Sequence, residues 1–323
     1  MDVSIGICAY NEEENIGALL ENLLTKQSLP CNSEIIVICS GCTDETPNIV
    51  EKFAREDERV KLILEKERRG KAPALNRILS LYRGKIFVHL DADHLPEPGA
   101  INLLLKHFHN PKVGAVSGCQ IPVKVDSFMG QVNAVIWGLH NETQRYYHQK
   151  GKAQHLGGVL FAIRRGICDR VPEDIVNDDA YMGIVCQQKN YRIIFEEKAI
   201  AFFRGPETII DYINQRRRVV YGHLRVKRET KVSPMILEAS PLSDKITIFS
   251  RWFKRNWRAL PYLMAACFLE AIVNIMARID LKKGKPLHKV WKIAATTKKR
   301  VHVPENQNAV RKTNNLGVVF AET

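Results

Sequence analysis

The feature that most constrains this chain is a regular alternation over residues 3 to 120. Short β-branched runs trade places with helical patterns: VSIGIC then EEENIGALLENLLTKQ, EIIVICS then DETPNIVEKFARED, VKLILEK then KAPALNRILSLY, KIFVHLD then EPGAINLLLKHF, and last VGAVSGCQ. The strand-like runs are apolar almost throughout rather than at every second residue, the pattern of strands buried on both faces. Such an alternation predicts a doubly wound α/β domain, a parallel sheet with helices on each side. In such sheets ligands bind outside the carboxyl ends of the strands, where strand order reverses. The turns AYN, SGCTD and DAD follow the first, second and fourth strands, so they are expected to meet at one crevice.

The stretch GKIFVHLDADHLPEP carries an apolar strand straight into Asp91 and Asp93. An unpaired buried carboxylate is costly, so a partner is expected. Two carboxylates one residue apart at a strand end can face a divalent cation, and oxygen ligands suit Mg²⁺ or Mn²⁺, which commonly keep bridging phosphates as further ligands. A second acidic pair, Asp178 and Asp179, opens a helical pattern; it is either a second part of the crevice or a pair of first-turn acids favoured by the helix dipole. Gly157 and Gly158 precede an apolar run, marking either a close backbone approach to a ligand or an ordinary turn. In QRRRV, residues 215 to 219, three consecutive arginines cannot share one helix face. At least one is expected to turn inward, where a guanidinium suits a diphosphate; the alternative is a solvated basic face.

A hydrophobic content of 45% over 323 residues excludes a disordered or fibrous chain. The net charge of +13 is uneven: residues 251 to 312 hold 15 Lys and Arg against Glu270, Asp280 and Glu305, a net of +12. A basic tail favours an anionic surface, nucleic acid or the cytoplasmic leaflet. The apolar segment 259 to 277 falls near the ~20 residues that a span requires, and basic residues flank both of its ends. A helix lying at the membrane interface or re-entering it is expected, rather than a span or a plain core helix. The eight cysteines are scattered and read as reduced thiols of a cytosolic chain. The opening VSIGICAY reads as a strand and not as a secretory signal.

Taken in order, strand-AYN, strand-SGCTD, DAD, GG, NDD and QRRRV resemble the family 2 glycosyltransferases, which have the GT-A fold and move a sugar from a nucleotide diphosphate with inversion. The resemblance covers roughly residues 1 to 230, implying a catalytic domain there and a basic helical extension over 231 to 323. AYNEEENI looks like the opening P-x-YNE-x-x-x-I segment, which implies a nucleotide near Ala9, Tyr10 and Glu12. DAD implies Asp93 as the direct metal ligand and Asp91 as the group facing the donor. NDD stands in the place of the TED-like motif and implies Asp179 as the base, with Asp178 beside it. QRRRV stands where QxxRW does, matching at Gln215 and Arg218; Val219 replaces the tryptophan, and Arg217 is carried with Arg218 as a donor contact. Where the family has Asp-Asp-Gly-Ser, this chain has Cys39-Ser40-Gly41-Cys42, which leaves Ser40 facing the base and implies relaxed nucleotide choice. The missing tryptophan is expected to go with an enzyme that does not translocate a long polymer.

The implied activity is metal-dependent transfer from a nucleotide diphosphate sugar to a saccharide or a polyprenyl or other lipid acceptor, at the cytoplasmic face of the cell membrane. A sugar-phosphate nucleotidyltransferase needs a Gly-rich basic loop after the first strand, where this chain has the acidic AYNEEE. A nucleic-acid-binding protein would use the basic tail with Trp252, Trp257 and Trp291, but an acidic crevice repels nucleic acid, which is not an expected partner.

Overall fold

The computed structural model describes residues 2–123, 126–152, 155–283, 290 and 295–301. The alternating runs become β1 (Val3–Ala9), α1 (Ile16–Thr25), β2 (Ser33–Ser40), α2 (Thr46–Glu56), β3 (Val60–Glu65), α3 (Lys71–Leu81) and β4 (Ile86–Leu90). There follow β5 (His94–Pro96), α4 (Ala100–Leu105), β6 (Val113–Val123), α5 (Phe128–Gln149), β7 (Leu160–Arg164), α6 (Asp178–Gln188), β8 (Arg192–Arg204) and α7 (Ile209–Thr230). Two more helices, α8 (Leu242–Asn256) and α9 (Leu260–Lys282), complete the regular structure among the described residues.

One sheet takes the order β3-β2-β1-β4-β7-β6-β8-β5. The chain steps outward from β1 to β3, then crosses back to place β4 on the other side of β1, with all four strands parallel. Strand order therefore reverses between β1 and β4, and a crevice opens beyond their carboxyl ends. The strands expected over residues 3 to 120 are parallel: β1 to β4 run one way, and β6, antiparallel like β4 to the β7 between them, runs with them; β5 is antiparallel to β8 at the edge of the sheet. A strand buried on both faces carries the same apolar signature in either direction, so the run LFAIR could not reveal its polarity. The reversal matters for position. Leu160 pairs with Leu90, and the Asp91 N–H donates to the Val159 carbonyl at 3.2 Å, which brings the start of β7 and its two glycines to the end of β4.

The sheet is covered on both faces. Ile5, Ile7, Val37 and Val88 pack with Leu19, Leu20 and Leu104 of α1 and α4, while Ile36, Ile38, Phe87 and Phe161 pack with Leu75, Ile78 and Met182 of α3 and α6. Each fully buried aliphatic side chain stabilises the fold by about 1.5–3 kcal/mol relative to exposure.

A third cluster joins the C-terminal helices to α5: Val132, Val135 and Leu139 pack with Tyr212, Trp252, Ala266 and Leu269. Trp252 is 2% exposed and belongs to this core, so it is not a surface aromatic of the basic tail; Trp257 is exposed, and Trp291 lies outside the described residues. The acids that interrupt the apolar segment clasp α9 to α7. Glu270 accepts from Tyr212 Oη and Arg216 Nε, each at 2.7 Å, and Asp280 accepts from Arg217 Nε and Nη2, each at 2.5 Å. On α8, Asp244 accepts from the hydroxyls of Tyr146 at 2.5 Å and Tyr147 at 3.2 Å.

Asp280 has no exposed surface, so losing it strands a guanidinium against an apolar helix. Removing one partner of a buried pair costs about 3–5 kcal/mol, less where the other partner reaches water as Arg217 does. Asp280→Ala is therefore expected to lower unfolding free energy by roughly 2–3 kcal/mol in a urea titration, with the denaturant slope unchanged.

Candidate active site

Four carboxylates, two from the end of β4 and two from the start of α6, converge beyond the reversal point. Lys71 opens α3 and drives its ammonium between the two sources, 2.8 Å from Asp91 Oδ1 and 3.4 Å from Asp178 Oδ2. His89, wholly buried in β4, places Nε2 at 3.2 Å from the same Asp91 oxygen. Burial works to raise the Asp91 pKa, but Lys71 and then His89 overcome it and hold the carboxyl well below its usual range. The partner that Asp91 demanded is thus Lys71, which the motif reading missed. The signal was present as a lone lysine in RRGKAPAL at a helix start, where a cation has no dipole to favour it.

Asp93 takes a different partner. It lies 2.7 Å from His94 Nδ1, and the His94 ring stacks on Phe203 at 5.0 Å between centroids. Asp91, Asp93 and His94 each offer a ligand atom, and the three atoms lie within 4.8 Å of one another. His94 Nε2 is buried and finds no hydrogen-bond partner among the described residues. A ring nitrogen and two carboxylates so placed fit a divalent cation.

Asp178 and Asp179 begin α6, and the capping side chain of Asn177 makes no bond to its own helix; its amide donates to the Val219 carbonyl of α7 at 3.0 Å. Asp179 is pressed against the glycine turn: a Cβ on Gly158 would come 2.5 Å from Asp179 Oδ2, so any larger residue there would displace the carboxylate. The Gly157 N–H donates to Ser117 Oγ at 3.0 Å. Burial, and next the charge of Asp178, push the Asp179 pKa up to about 7. His155 stands with Nε2 3.8 Å from Asp179 Oδ2, and beyond it the rings of His140 and His223 follow at 5.9 and 5.4 Å. Burial keeps all three imidazoles neutral.

The three consecutive arginines divide. Arg218 faces the crevice, its guanidinium in the field of Asp91, Asp178, Asp93 and Asp179, and Gln215 lies three residues earlier on the same face of α7. Arg216 and Arg217 point away to Glu270 and Asp280 of α9. The assignment of Arg217 as a donor contact is therefore corrected: its fork is spent on a carboxylate of α9.

On the β1 side, Ala9 ends its strand 2% exposed, and the Tyr10 ring lies 3.9 Å beneath the Arg68 guanidinium. Ser40 does not present a free hydroxyl proton. Its Oγ donates to Glu65 Oε2 of β3 at 2.7 Å, which leaves the oxygen as an acceptor. Glu12 is buried, and burial followed by the nearby Asp93 push its pKa up to about 8. A segment from the far end of the chain meets it. Lys298 pairs with Glu12 and lies 3.3 Å from the Tyr10 carbonyl, while Asn15 donates to the Lys298 carbonyl at 2.9 Å and accepts from Val301 N–H at 3.0 Å. Thr296 donates to Asp211 Oδ2 at 2.7 Å, so residues 295–301 bridge α1 and the start of α7.

The family model described as glycosyl transferase family 2 matches residues 4–171, just over half of the chain. The chain belongs to glycosyltransferase family 2. Among its relatives, the poly-beta-1,6-N-acetyl-D-glucosamine synthase of Staphylococcus aureus (strain COL) is 27% identical over 241 residues, 73% of this chain and 58% of that protein. The synthase of the same name from Staphylococcus epidermidis is 26% identical over 288 residues, 87% of this chain and 68% of that one. The chain thus spans less than two thirds of the length of the S. aureus relative. Among solved structures, a mannosyltransferase from Pyrobaculum calidifontis in complex with GDP-Man and Mn²⁺ is 25% identical with a TM-score of 0.57, covering 87% of this chain and 79% of that one. Glucosyl-3-phosphoglycerate synthase from Mycobacterium tuberculosis, at 17% identity and a TM-score of 0.51, covers 70% of this chain and 79% of its own, and shares the GT-A fold.

In this glycosyltransferase Lys71 is 17% exposed and pairs with one acid of each acidic pair. Lys71→Met is expected to lower thermal stability by about 2–4 kcal/mol, because it leaves carboxylates facing one another with their counter-ion gone. Adding Asp91→Asn should recover part of that loss, and a double-mutant cycle in a thermal melt checks the coupling.

Proposed function

We propose that this chain transfers a sugar, with inversion, from a nucleotide diphosphate sugar to a saccharide or lipid-linked acceptor, with Mg²⁺ or Mn²⁺, at the cytoplasmic face of the membrane. The observation that carries the reading is the convergence of Asp93, His94, Asp179 and Arg218 at one crevice beyond β1 and β4. The mannosyltransferase solved with GDP-Man and Mn²⁺ supports a sugar nucleotide and a divalent cation, and the relatives named for a polysaccharide support a saccharide acceptor.

Asp93 and His94 would hold the cation, with Asp91 turned toward the donor while Lys71 and His89 fix its orientation. A cation bound there supplies positive charge to the departing diphosphate. Arg218 adds a fixed positive charge on the same side, and Lys298 stands at Glu12 and Tyr10, where the nucleotide half of the donor is expected. Across the crevice Asp179 accepts the proton of the attacking hydroxyl, and Gly158 keeps its carboxylate in contact with the turn.

A base whose pKa is about 7 is largely protonated, and idle, below that pH. kcat/KM is therefore expected to rise as pH climbs through about 7 and then level off. Asp179→Asn should lower kcat roughly 10²-fold or more, remove that rise and leave donor affinity nearly intact. An equal loss of donor binding would make Asp179 a structural residue.

The membrane reading rests on a surface. The run Leu242–Lys282 is long and apolar enough to cross a membrane by length and composition, and 22% of its most apolar stretch is buried. One side of α9 carries the ion pairs to α7, while Met264, Phe268, Ile275 and Ile279 are exposed along the other, continued by Leu242 and Ile246 of α8. Arg251, Lys254, Arg258 and Arg278 are exposed beside them. A helix clasped along a charged neighbour and apolar on its free side lies in the interface with the protein above it. Binding to vesicles of anionic lipid is expected to weaken steeply as salt rises, and Met264→Glu with Phe268→Glu should release the protein in a vesicle sedimentation assay. Binding indifferent to salt would favour a span.

A further inference from the structure

Cys39-Ser40-Gly41-Cys42 is a paired spacing, which the reading of eight scattered thiols passed over. Cys39, next to last in β2, is 1% exposed and lies in register between Ala9 of β1 and Leu64 of β3. The chain then turns through Gly41 at φ +64°, and a Cβ there would sit 2.6 Å from the Arg68 backbone nitrogen, so the turn is pressed against the loop that carries Arg68 over Tyr10. Cys42 is half-buried, and its Sγ donates to the Ala9 carbonyl at 3.6 Å. Both cysteines therefore meet at Ala9, Cys39 through the strand register and Cys42 through its Sγ.

This turn is tied to the nucleotide side of the crevice. Asn11 Nδ2 donates to Thr43 Oγ1 at 3.0 Å, Thr43 N–H returns a bond to Asn11 Oδ1 at 2.9 Å, and Glu12 N–H donates to Thr46 Oγ1 at 2.7 Å. Whatever moves Cys42 moves Asn11 and Glu12.

We propose that Cys39 and Cys42 form a dithiol-disulfide pair that gates the donor pocket: reduced, it seats the turn against Ala9; oxidised, it withdraws Cys42 from that carbonyl and weakens nucleotide binding. The inference rests on the donor reading of the crevice. Its chemistry requires a low-molecular-weight disulfide oxidant. The more exposed sulfur reacts first, because the Cys39 thiol and the Asn11 N–H bring its pKa down to about 7, whereas Cys39 is raised by Cys42. The Cys42 thiolate attacks one sulfur of the oxidant and breaks its S–S bond, releasing one thiolate. Cys39 then attacks Cys42 Sγ, its proton passes to the second departing thiol, and the protein disulfide closes. Two electrons leave the protein, and the oxidant is reduced to two thiols.

The test uses the full chain in a Cys31→Ser, Cys267→Ser background, which removes the two exposed thiols. The protein is treated with oxidised glutathione, mapped by peptide mass spectrometry, and titrated calorimetrically with UDP and with GDP in the presence of Mn²⁺, before and after dithiothreitol. The expected result is a Cys39–Cys42 crosslink lacking two hydrogens and a nucleotide Kd raised roughly tenfold, a change of about 1.4 kcal/mol, reversed by dithiothreitol. In Cys42→Ser, compared with its own reduced form, oxidant should leave Kd unchanged, and in Cys39→Ala the peptide map should show a glutathione adduct on Cys42 in place of the crosslink. Failure to form the crosslink, or a crosslink that leaves Kd where it was, overturns the proposal. A reduced protein that binds neither nucleotide overturns the donor reading and the gate with it, and the peptide map still reports on the thiol pair alone.

Discussion

The ammonium of Lys71 is the contact on which the crevice depends. Asp91 and Asp178 come from elements far apart in the chain, and two carboxylates brought this close repel unless a cation stands between them. Lys71 occupies that place from the first residue of α3, so three separate pieces of chain are pinned at one point. The consequence is a division of state among four acids. Asp91 is held ionised by Lys71 and His89, Asp93 is lowered below its usual range by His94 against the effect of burial, and Asp179, where burial and the charge of Asp178 outweigh the opposing charge of Lys71, is left with a pKa near neutrality. Groups of one chemical type are thereby fitted for two roles, binding positive charge and accepting a proton.

Helix α7 extends the same economy of charge outward. Successive residues of an α-helix point about 100° apart, so QRRRV cannot act as one patch. Arg218 enters the crevice, while Arg216 and Arg217 reach the opposite way and fasten α9. The helix that carries the exposed apolar stripe is thus fixed, through two ion pairs, to the helix that carries the crevice arginine. In the membrane reading proposed above, the orientation of the crevice relative to a lipid surface would follow from those ion pairs.

How much of this was legible in the sequence depends on the kind of signal. Strand and helix periodicity located the elements, because apolar spacing is a local property, and it brought AYN, SGCTD and DAD to one end of the sheet. Strand direction was not local, and β7 turned out antiparallel. Residue type identified Asp91 and Asp93 but could not say that Lys71 answers the first and His94 the second, since both pairings depend on how separate turns fold together. Arg217 and Ser40 show the converse limit. Both have the right chemistry at the right motif position, but the guanidinium of one and the hydroxyl proton of the other are engaged elsewhere, with Asp280 and Glu65.

The contact least accessible to a motif reading is the one between Glu12 and Lys298, 286 positions apart in the chain. Nothing in AYNEEE announces a lysine from the basic tail, and a cluster of tail lysines reads as a solvated run. Yet Glu12 is buried beside Asp93, an arrangement that favours its neutral form, and Lys298 works against that by supplying positive charge to both groups. The uneven charge of the chain therefore serves two surfaces. Its helical part lies beside an exposed apolar face, and the segment 295–301 returns to the crevice, where Lys298 offsets the negative charge of Glu12 and Asp93.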